Sequence, residues 1–175
     1  MKSLYPELRT LAVVYNPIDE RLIFSKSEAF KAELPRAAVR LVSIGRLENP
    51  KGYDRLLPIM KKLVDEGYDL SLAILGEGSQ RKSLALYIEE NGLSEKVSLL
   101  GFQPNPYPWL VGADLFVCSS RIEGYSTVVT EALIIGLPVI TTDCAGMDEL
   151  LSGGCYGMIV ENDDEALFEG LKALI

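Results

Sequence analysis

Four charged side chains in this sequence have the types and spacing to hold a polar, anionic ligand. They are Glu123 and Glu131, with seven residues between them, and Arg46 and Lys51, with four. Carboxylates accept hydrogen bonds from hydroxyl groups, and guanidinium and ammonium groups donate charge-assisted hydrogen bonds to phosphate. The sequence has no histidine, so the commonest general base and the commonest metal ligand are missing. The chemistry open to the four residues is binding and charge stabilisation, and if the chain belongs to an enzyme, its proton transfer lies elsewhere.

The elements that must position the two glutamates can be read from the pattern around them. Ala113-Asp114-Leu115-Phe116-Val117-Cys118 and Leu137-Pro138-Val139-Ile140-Thr141 are short apolar runs of strand type. Between them, Val128, Val129, Ala132, Leu133 and Ile135 recur at helical spacing on one face, with Thr127, Thr130 and Glu131 on the other. Gly136 followed by Pro138 ends the helix. The unit is strand, loop, helix, strand, and in a βαβ unit the crevice lies at the carboxyl end of the strand. That places Glu123 in the loop and Glu131 on the early helix. The backbone N–H groups of Ser126, Thr127 and Val128 at the helix start favour an anionic or oxygen-rich ligand. A solvated loop glutamate and a second one favoured by the helix dipole account equally well for the spacing taken alone.

The two cations leave an earlier strand in the same way. Val39-Arg40-Leu41-Val42-Ser43-Ile44-Gly45 is strand-like, Arg46 follows it, and Asn49 and Pro50 suit the cap and first position of a helix that Lys51 enters. Gly45 and Gly52 let a ligand approach the backbone. Downstream, Leu56, Leu57, Met60, Leu63 and Val64 mark an amphipathic helix, and Leu70–Leu75 a strand that turns at Gly76-Glu77-Gly78-Ser79 into a helix running to about Asn91. Lys96 to Phe102 is a short strand and turn, and Pro104 to Trp109 a rigid, proline-dense entry to a short helix ending near Ala113. Phe102 either stacks on a ligand or packs. Tyr156 to Val160 is a last strand, and a helix starts at Asp163. Alternation of strands and helices predicts an α/β, doubly wound, Rossmann-like and mostly parallel sheet with helices on both faces.

Composition narrows the class. The chain has 175 residues, 48% hydrophobic and 24% charged, with a net charge of −8. An acidic balance argues against a nucleic-acid surface, so any phosphate must be met by a local cluster. Cys118, Cys144 and Cys155 are too widely spaced for a disulfide framework or a zinc site, and no metal ligand set is expected. No apolar run approaches the ~18 residues of a membrane span, and Met1 to Pro6 lacks a signal-peptide core. The expectation is a soluble, cytoplasmic, globular domain.

The two glutamates with Gly124-Tyr125-Ser126 between them resemble the E-x7-E motif of family 4 (group 1) glycosyltransferases, retaining enzymes of the two-domain GT-B class that use nucleotide sugars. In order, Gly45-Arg46, Lys51-Gly52, Gly76-Glu77-Gly78, Glu123-Gly124, Glu131-Ala132 and Gly136-Leu137-Pro138-Val139 are similar to the motifs of that family's nucleotide-binding domain, from about Val39 to Val160. The resemblance implies that Arg46 and Lys51 clamp the diphosphate of a UDP-, GDP- or ADP-sugar and stabilise charge on the leaving group. Glu131 then accepts hydrogen bonds from the ribose, and Glu123 with the N–H groups after Gly124 faces the sugar. Gly45, Phe102, Tyr125, Ser126 and Thr127 complete the expected donor site, and no cofactor or bound metal is implied. With Glu131 beside the ribose, the two carboxylates are not the acid and nucleophile of a glycosidase.

Asn16-Pro17-Ile18-Asp19 is similar to the segment that closes the family's acceptor domain. The resemblance therefore divides the chain into residues 1–38, a hinge or linker from the end of a missing N-terminal acceptor domain, and residues 39–175, a nucleotide-sugar-binding domain with a truncated C-terminal helix. It implies sugar transfer in polysaccharide or glycan biosynthesis, no transfer by this chain alone, and membrane contact only through a full-length protein. Where the family often has Phe-Gly after Glu-Gly, this sequence has Tyr125-Ser126, and Ser119 replaces a frequent proline. The rival readings are a non-catalytic nucleotide-binding or regulatory α/β module and a related GT-B epimerase or phosphorylase. The residues do not name the base, sugar or acceptor.

Overall fold

The computed structural model describes residues 16–175. The strand expected at Thr10–Tyr15 lies outside them. Helix α1 spans Glu20–Ser27, with Asp19 capping its first N–H groups. It is a surface helix seated on the domain: Ile23 is buried, the Asn105 side chain donates to Lys26 O at 2.8 Å, and Phe30 meets Trp109 edge to face at 5.0 Å.

From there strands and helices alternate as expected: β1 (Val39–Ile44), α2 (Tyr53–Asp65), β2 (Leu70–Leu75), α3 (Arg81–Glu90), β3 (Val97–Gly101), α4 (Tyr107–Gly112), β4 (Leu115–Cys118), α5 (Thr127–Ile135), β5 (Val139–Thr142), α6 (Met147–Leu150), β6 (Met158–Val160) and α7 (Asp164–Leu174). The six strands form one parallel sheet in the order β3-β2-β1-β4-β5-β6, the doubly wound Rossmann-like arrangement. Alternation along each strand feeds two cores. Leu41, Leu72 and Ile74 face one layer with Leu56, Met60 and Phe168, while Val42, Ala73 and Leu75 face the other with Val129, Ala132 and Met147. No helix among the described residues is long and apolar enough to cross a membrane.

Two details differ from the sequence reading. Asn49–Lys51 form a separate 3-10 turn, and α2 starts only at Tyr53, because Gly52 takes the left-handed conformation (φ 69°) between them. Lys51 therefore stands before the α-helix and not in its first turn. On α5 only Val129 and Ala132 are fully buried. Val128, Leu133 and Ile135 pack against the same core while only partly buried, and Val128 also shares a cavity wall with Glu131, three residues along the helix and so on the same side of it.

Candidate functional site

The strand order reverses between β1 and β4. The chain leaves β1 towards β2 on one side and leaves β4 towards β5 on the other, so the loops diverge and open a crevice at the carboxyl ends. The loop after β1 carries Gly45, Arg46 and Lys51; the loop after β4 carries Glu123 to Ser126.

These two loops are joined directly by Arg121 N on Pro50 O, Ser119 Oγ on Lys51 O and the Arg121 side chain on Asn49 O, and the β4 loop is tied to α2 by Arg55, a buried arginine of that helix. Its guanidinium donates to Ser119 O at 2.9 and 2.7 Å, to Ser120 O at 2.8 Å and to Asn162 Oδ1 at 2.8 Å. Burial pulls it below the ordinary arginine value, with nearby Arg121 adding to the effect and Asp164 opposing it. Asn162 in turn donates to Arg121 O at 3.0 Å and Asp143 O at 3.2 Å. Arg121 N donates to Pro50 O at 2.8 Å, and its side chain is bidentate on Asp54 at 2.6 and 2.9 Å. The loops touch so closely that a Cβ on Gly52 would lie 2.1 Å from Ser119 O, a contact only glycine permits. On the other flank, a Cβ on Gly76 would lie 2.0 Å from Gly45 O.

Within this frame Lys51 and Glu123 form an ion pair, their side chains 21% and 15% exposed. Lys51 folds over Gly45, whose added Cβ would meet its methylenes at 3.2 Å. Gly124 is exposed, and its N–H lies 3.3 Å from the Glu123 carboxylate. Ser126 sits at the N-cap of α5 with extended backbone. Its hydroxyl is buried and has no hydrogen-bond partner among the described residues.

Beside the ion pair opens a cavity of about 400 Å³ whose walls include Gly45, Arg46, Glu77, Phe102, Val128 and Glu131. Arg46 is exposed and makes no ion pair among the described residues, and Phe102, 72% exposed, stands at the mouth. An aromatic this exposed has a ring face free for stacking. Glu131 is half-buried and accepts a hydrogen bond from the Tyr107 hydroxyl at 3.0 Å. Burial raises the Glu131 carboxyl above the ordinary value and the Tyr107 hydrogen bond partly opposes this. The Tyr107 phenol is itself pushed up to about 12 by burial and by the adjacent carboxylate, so it remains a donor. Volume alone does not identify a site. Larger hollows of about 760 and 720 Å³ lie along residues 31–40 and beside Tyr156, but both reach residues at the amino ends of strands and not the carboxyl ends at the switch point.

Of the residues singled out in the sequence, the structure brings Gly45, Arg46, Phe102 and Glu131 into one cavity. It sets Lys51 and Glu123 next to it as a pair, and it places Gly124, Tyr125, Ser126 and Thr127 on the loop and helix start that follow. Sequence reasoning missed Arg55, Asn162 and Tyr107. Asn162 lies one residue beyond Glu161, just past the end of the last strand, β6, a position that the strand-end rule marks. For Arg55 and Tyr107 there was no such signal, since each acts through a partner distant in sequence. Among the described residues there is no cluster of His, Cys, Asp or Glu that could hold a metal.

Comparison with known proteins gives a consistent result. The family model for glycosyl transferases group 1 matches residues 25–175. The chain is 36% identical over 168 residues to the N-acetylgalactosamine-N,N'-diacetylbacillosaminyl-diphospho-undecaprenol 4-alpha-N-acetylgalactosaminyltransferase of Campylobacter jejuni, covering 93% of this chain and 44% of that relative. It is 30% identical over 160 residues to the lipopolysaccharide core biosynthesis mannosyltransferase LpsB of Rhizobium meliloti, covering 87% and 44%. Among solved structures, Anabaena HepE in complex with UDP superimposes with a TM-score of 0.75 at 21% identity, covering 93% of this chain and 47% of that one. The chain thus spans less than half the length of these relatives.

Proposed function

This chain belongs to the glycosyl transferases group 1 family, and from that premise we propose that it is the donor-binding half of an enzyme moving a sugar from a nucleoside diphosphate to an acceptor. The observation that carries the proposal is the cavity at the sheet's switch point, where an exposed arginine, a partly buried carboxylate and an exposed aromatic converge. A nucleoside diphosphate has the matching parts: a negative diphosphate, a diol and a flat base.

In this reading Arg46 and Lys51 hold the diphosphate and stabilise charge on it as the bond from phosphate oxygen to the anomeric carbon breaks. Glu131 accepts hydrogen bonds from the ribose hydroxyls, and Phe102 borders the base. Glu123 and the backbone N–H groups of Gly124 to Thr127 face the sugar, helped by the positive end of α5. Lys51 is paired with Glu123, so diphosphate binding draws Lys51 from that partner and frees the carboxylate for sugar hydroxyls. The new bond forms to an acceptor oxygen with retention at the anomeric carbon, and cations do the work that a metal does in other transferases.

The acceptor and the group that takes its proton belong to a second domain, which the hinge segment 1–38 joins to residues 39–175. The chain alone binds a nucleotide weakly and transfers nothing. Relatives named for lipopolysaccharide, colanic acid and capsule biosynthesis support a role in building a polysaccharide or glycan, with the catalytic half in the cytoplasm and membrane contact confined to the rest of the protein.

Titration of the chain with UDP, GDP and ADP by calorimetry tests the donor site. One diphosphate is expected to bind selectively, and Arg46→Ala and Glu131→Ala each to weaken it by about tenfold or more. Equal affinity in both variants would remove the assignment.

A further inference from the structure

Glu131 has one carboxylate oxygen, Oε1, on the Tyr107 hydroxyl at 3.0 Å. Among the described residues the carboxylate has no other hydrogen-bond partner, so Oε2 is the oxygen left for a ligand. The last torsion of a glutamate is broad and roughly two-fold, so a carboxylate on a cavity wall has no fixed plane of its own. A hydrogen bond to one oxygen supplies that plane. Tyr107 is suited to supply it, because Pro106 and Pro108 on either side restrict its backbone and the ring is only partly exposed. Pro106 itself lines the cavity.

Resting on the donor-site reading above, we propose that Tyr107 is a positioning residue: by holding Oε1 it aims Oε2 of Glu131 at the ribose, and so sets how strongly the site prefers a ribonucleotide to a deoxygenated one. The other charged groups on the walls of the same cavity are Arg46 after β1 and Glu77 after β2. Strands β4 and β5 carry no charged residue and neither does α4, and α5 has none besides Glu131. Helix α1, which also packs on α5, carries Glu20, Arg21 and Lys26, and the hydrogen bond that Glu131 accepts comes from Tyr107 and not from them. Among the described residues Tyr107 is thus the one hydrogen-bonding partner that favours the ionised carboxylate against its burial, and ionised acceptors make the stronger hydrogen bonds.

The test uses the 175-residue chain and the diphosphate that it binds best among UDP, GDP and ADP, together with the 2′,3′-dideoxy form of the same nucleotide. In Tyr107→Phe the ribonucleotide is expected to bind roughly threefold to tenfold more weakly, while affinity for the dideoxy form changes less than about twofold. The acid limb of ribonucleotide binding is expected to move to higher pH. Carbon-13 carboxyl NMR, run without ligand, is expected to show Glu131 titrating at higher pH in Tyr107→Phe than in the wild type. Equal weakening of both nucleotides would mark a merely structural tyrosine and overturn the proposal, as would an unmoved Glu131 titration. If the wild type binds no diphosphate, or Glu131→Ala keeps the full ribose preference, the donor-site reading itself falls, and the ligand-free titration still reports whether Tyr107 governs the carboxylate.

Discussion

The junction of the β1 and β4 loops and the cavity beside it lie side by side but are built in opposite ways. At the junction most polar groups are satisfied within the chain: the Ser119 and Ser120 carbonyls by Arg55, Asn162 by Arg55 and by carbonyls of two loops, Arg121 by Asp54, Lys51 by Glu123. In the cavity Arg46 has no ion pair among the described residues, Phe102 is largely exposed and only one Glu131 oxygen is engaged. Satisfied polar networks rigidify, whereas unsatisfied groups on a concave wall are left for a ligand. The junction is therefore the frame and the cavity the receptor. The Lys51–Glu123 pair stands at the border between them.

If the junction is the frame, breaking it should cost folding stability, and that is the largest effect expected. Arg55→Met removes the guanidinium donors to Ser119 O and to Asn162 Oδ1 while keeping an apolar stem in the core. Leaving buried acceptors unpaired costs ~1–3 kcal/mol each, so a loss of about 3 kcal/mol is expected. A urea titration should show a lower midpoint at an unchanged slope. An Arg55→Met midpoint within error of the wild type would mean that the loops hold together without it.

The pair at the border gives an intermediate effect. Lys51 and Glu123 are only 21% and 15% exposed, so Lys51→Met, which leaves the Glu123 carboxylate without its cation, should cost about 1–2 kcal/mol of stability, less than Arg55→Met. It should also weaken diphosphate binding by roughly tenfold or more. Glu123→Gln should do the reverse, leaving binding of the bare diphosphate equal or tighter because it removes the competitor for Lys51. Calorimetry at two salt concentrations checks both signs, and the Lys51 effect should shrink as salt rises.

The same division explains what could be read from the sequence. Strands were legible because β1, β2 and β4 are short apolar runs bounded by glycine or by polar loops, and parallel order follows from their alternation with helices. Arg46, Phe102 and Glu131 were legible because their residue types and strand-end positions already state what they offer a ligand. The frame was not. Arg55 acts on carbonyls 64 and 65 residues away, Asn162 on a carbonyl 41 residues away, and Tyr107 on a carboxylate 24 residues away; no local pattern encodes such a partner. The break between Asn49–Lys51 and α2 was hidden for a related reason. Asn49 and Pro50 suit a helix start, and only the close approach of Ser119 O to Gly52 shows why the chain turns left-handed there first.

The smallest effect should come from the receptor side, and its sign is opposite to that at the frame. Glu131 has a folded-state carboxyl raised above its ordinary value by burial, with Tyr107 only partly offsetting it. For such a group the folded state binds the proton more readily than the unfolded chain. Its stabilising contribution is full below the unfolded value, about 4.3, and is lost as pH rises through the raised folded one. At neutral pH the charged Glu131 thus works against folding. Glu131→Gln keeps an acceptor for Tyr107 and removes the charge, so it should raise the melting temperature at pH 7 by roughly 2 °C while weakening ribonucleotide binding. The gain should shrink as pH falls through the unfolded value and disappear below it, at about pH 3, where the wild-type carboxyl is protonated in both states. A loss of stability at pH 7 would place Glu131 with the frame, and the division between frame and receptor would then have to be drawn on the far side of α5.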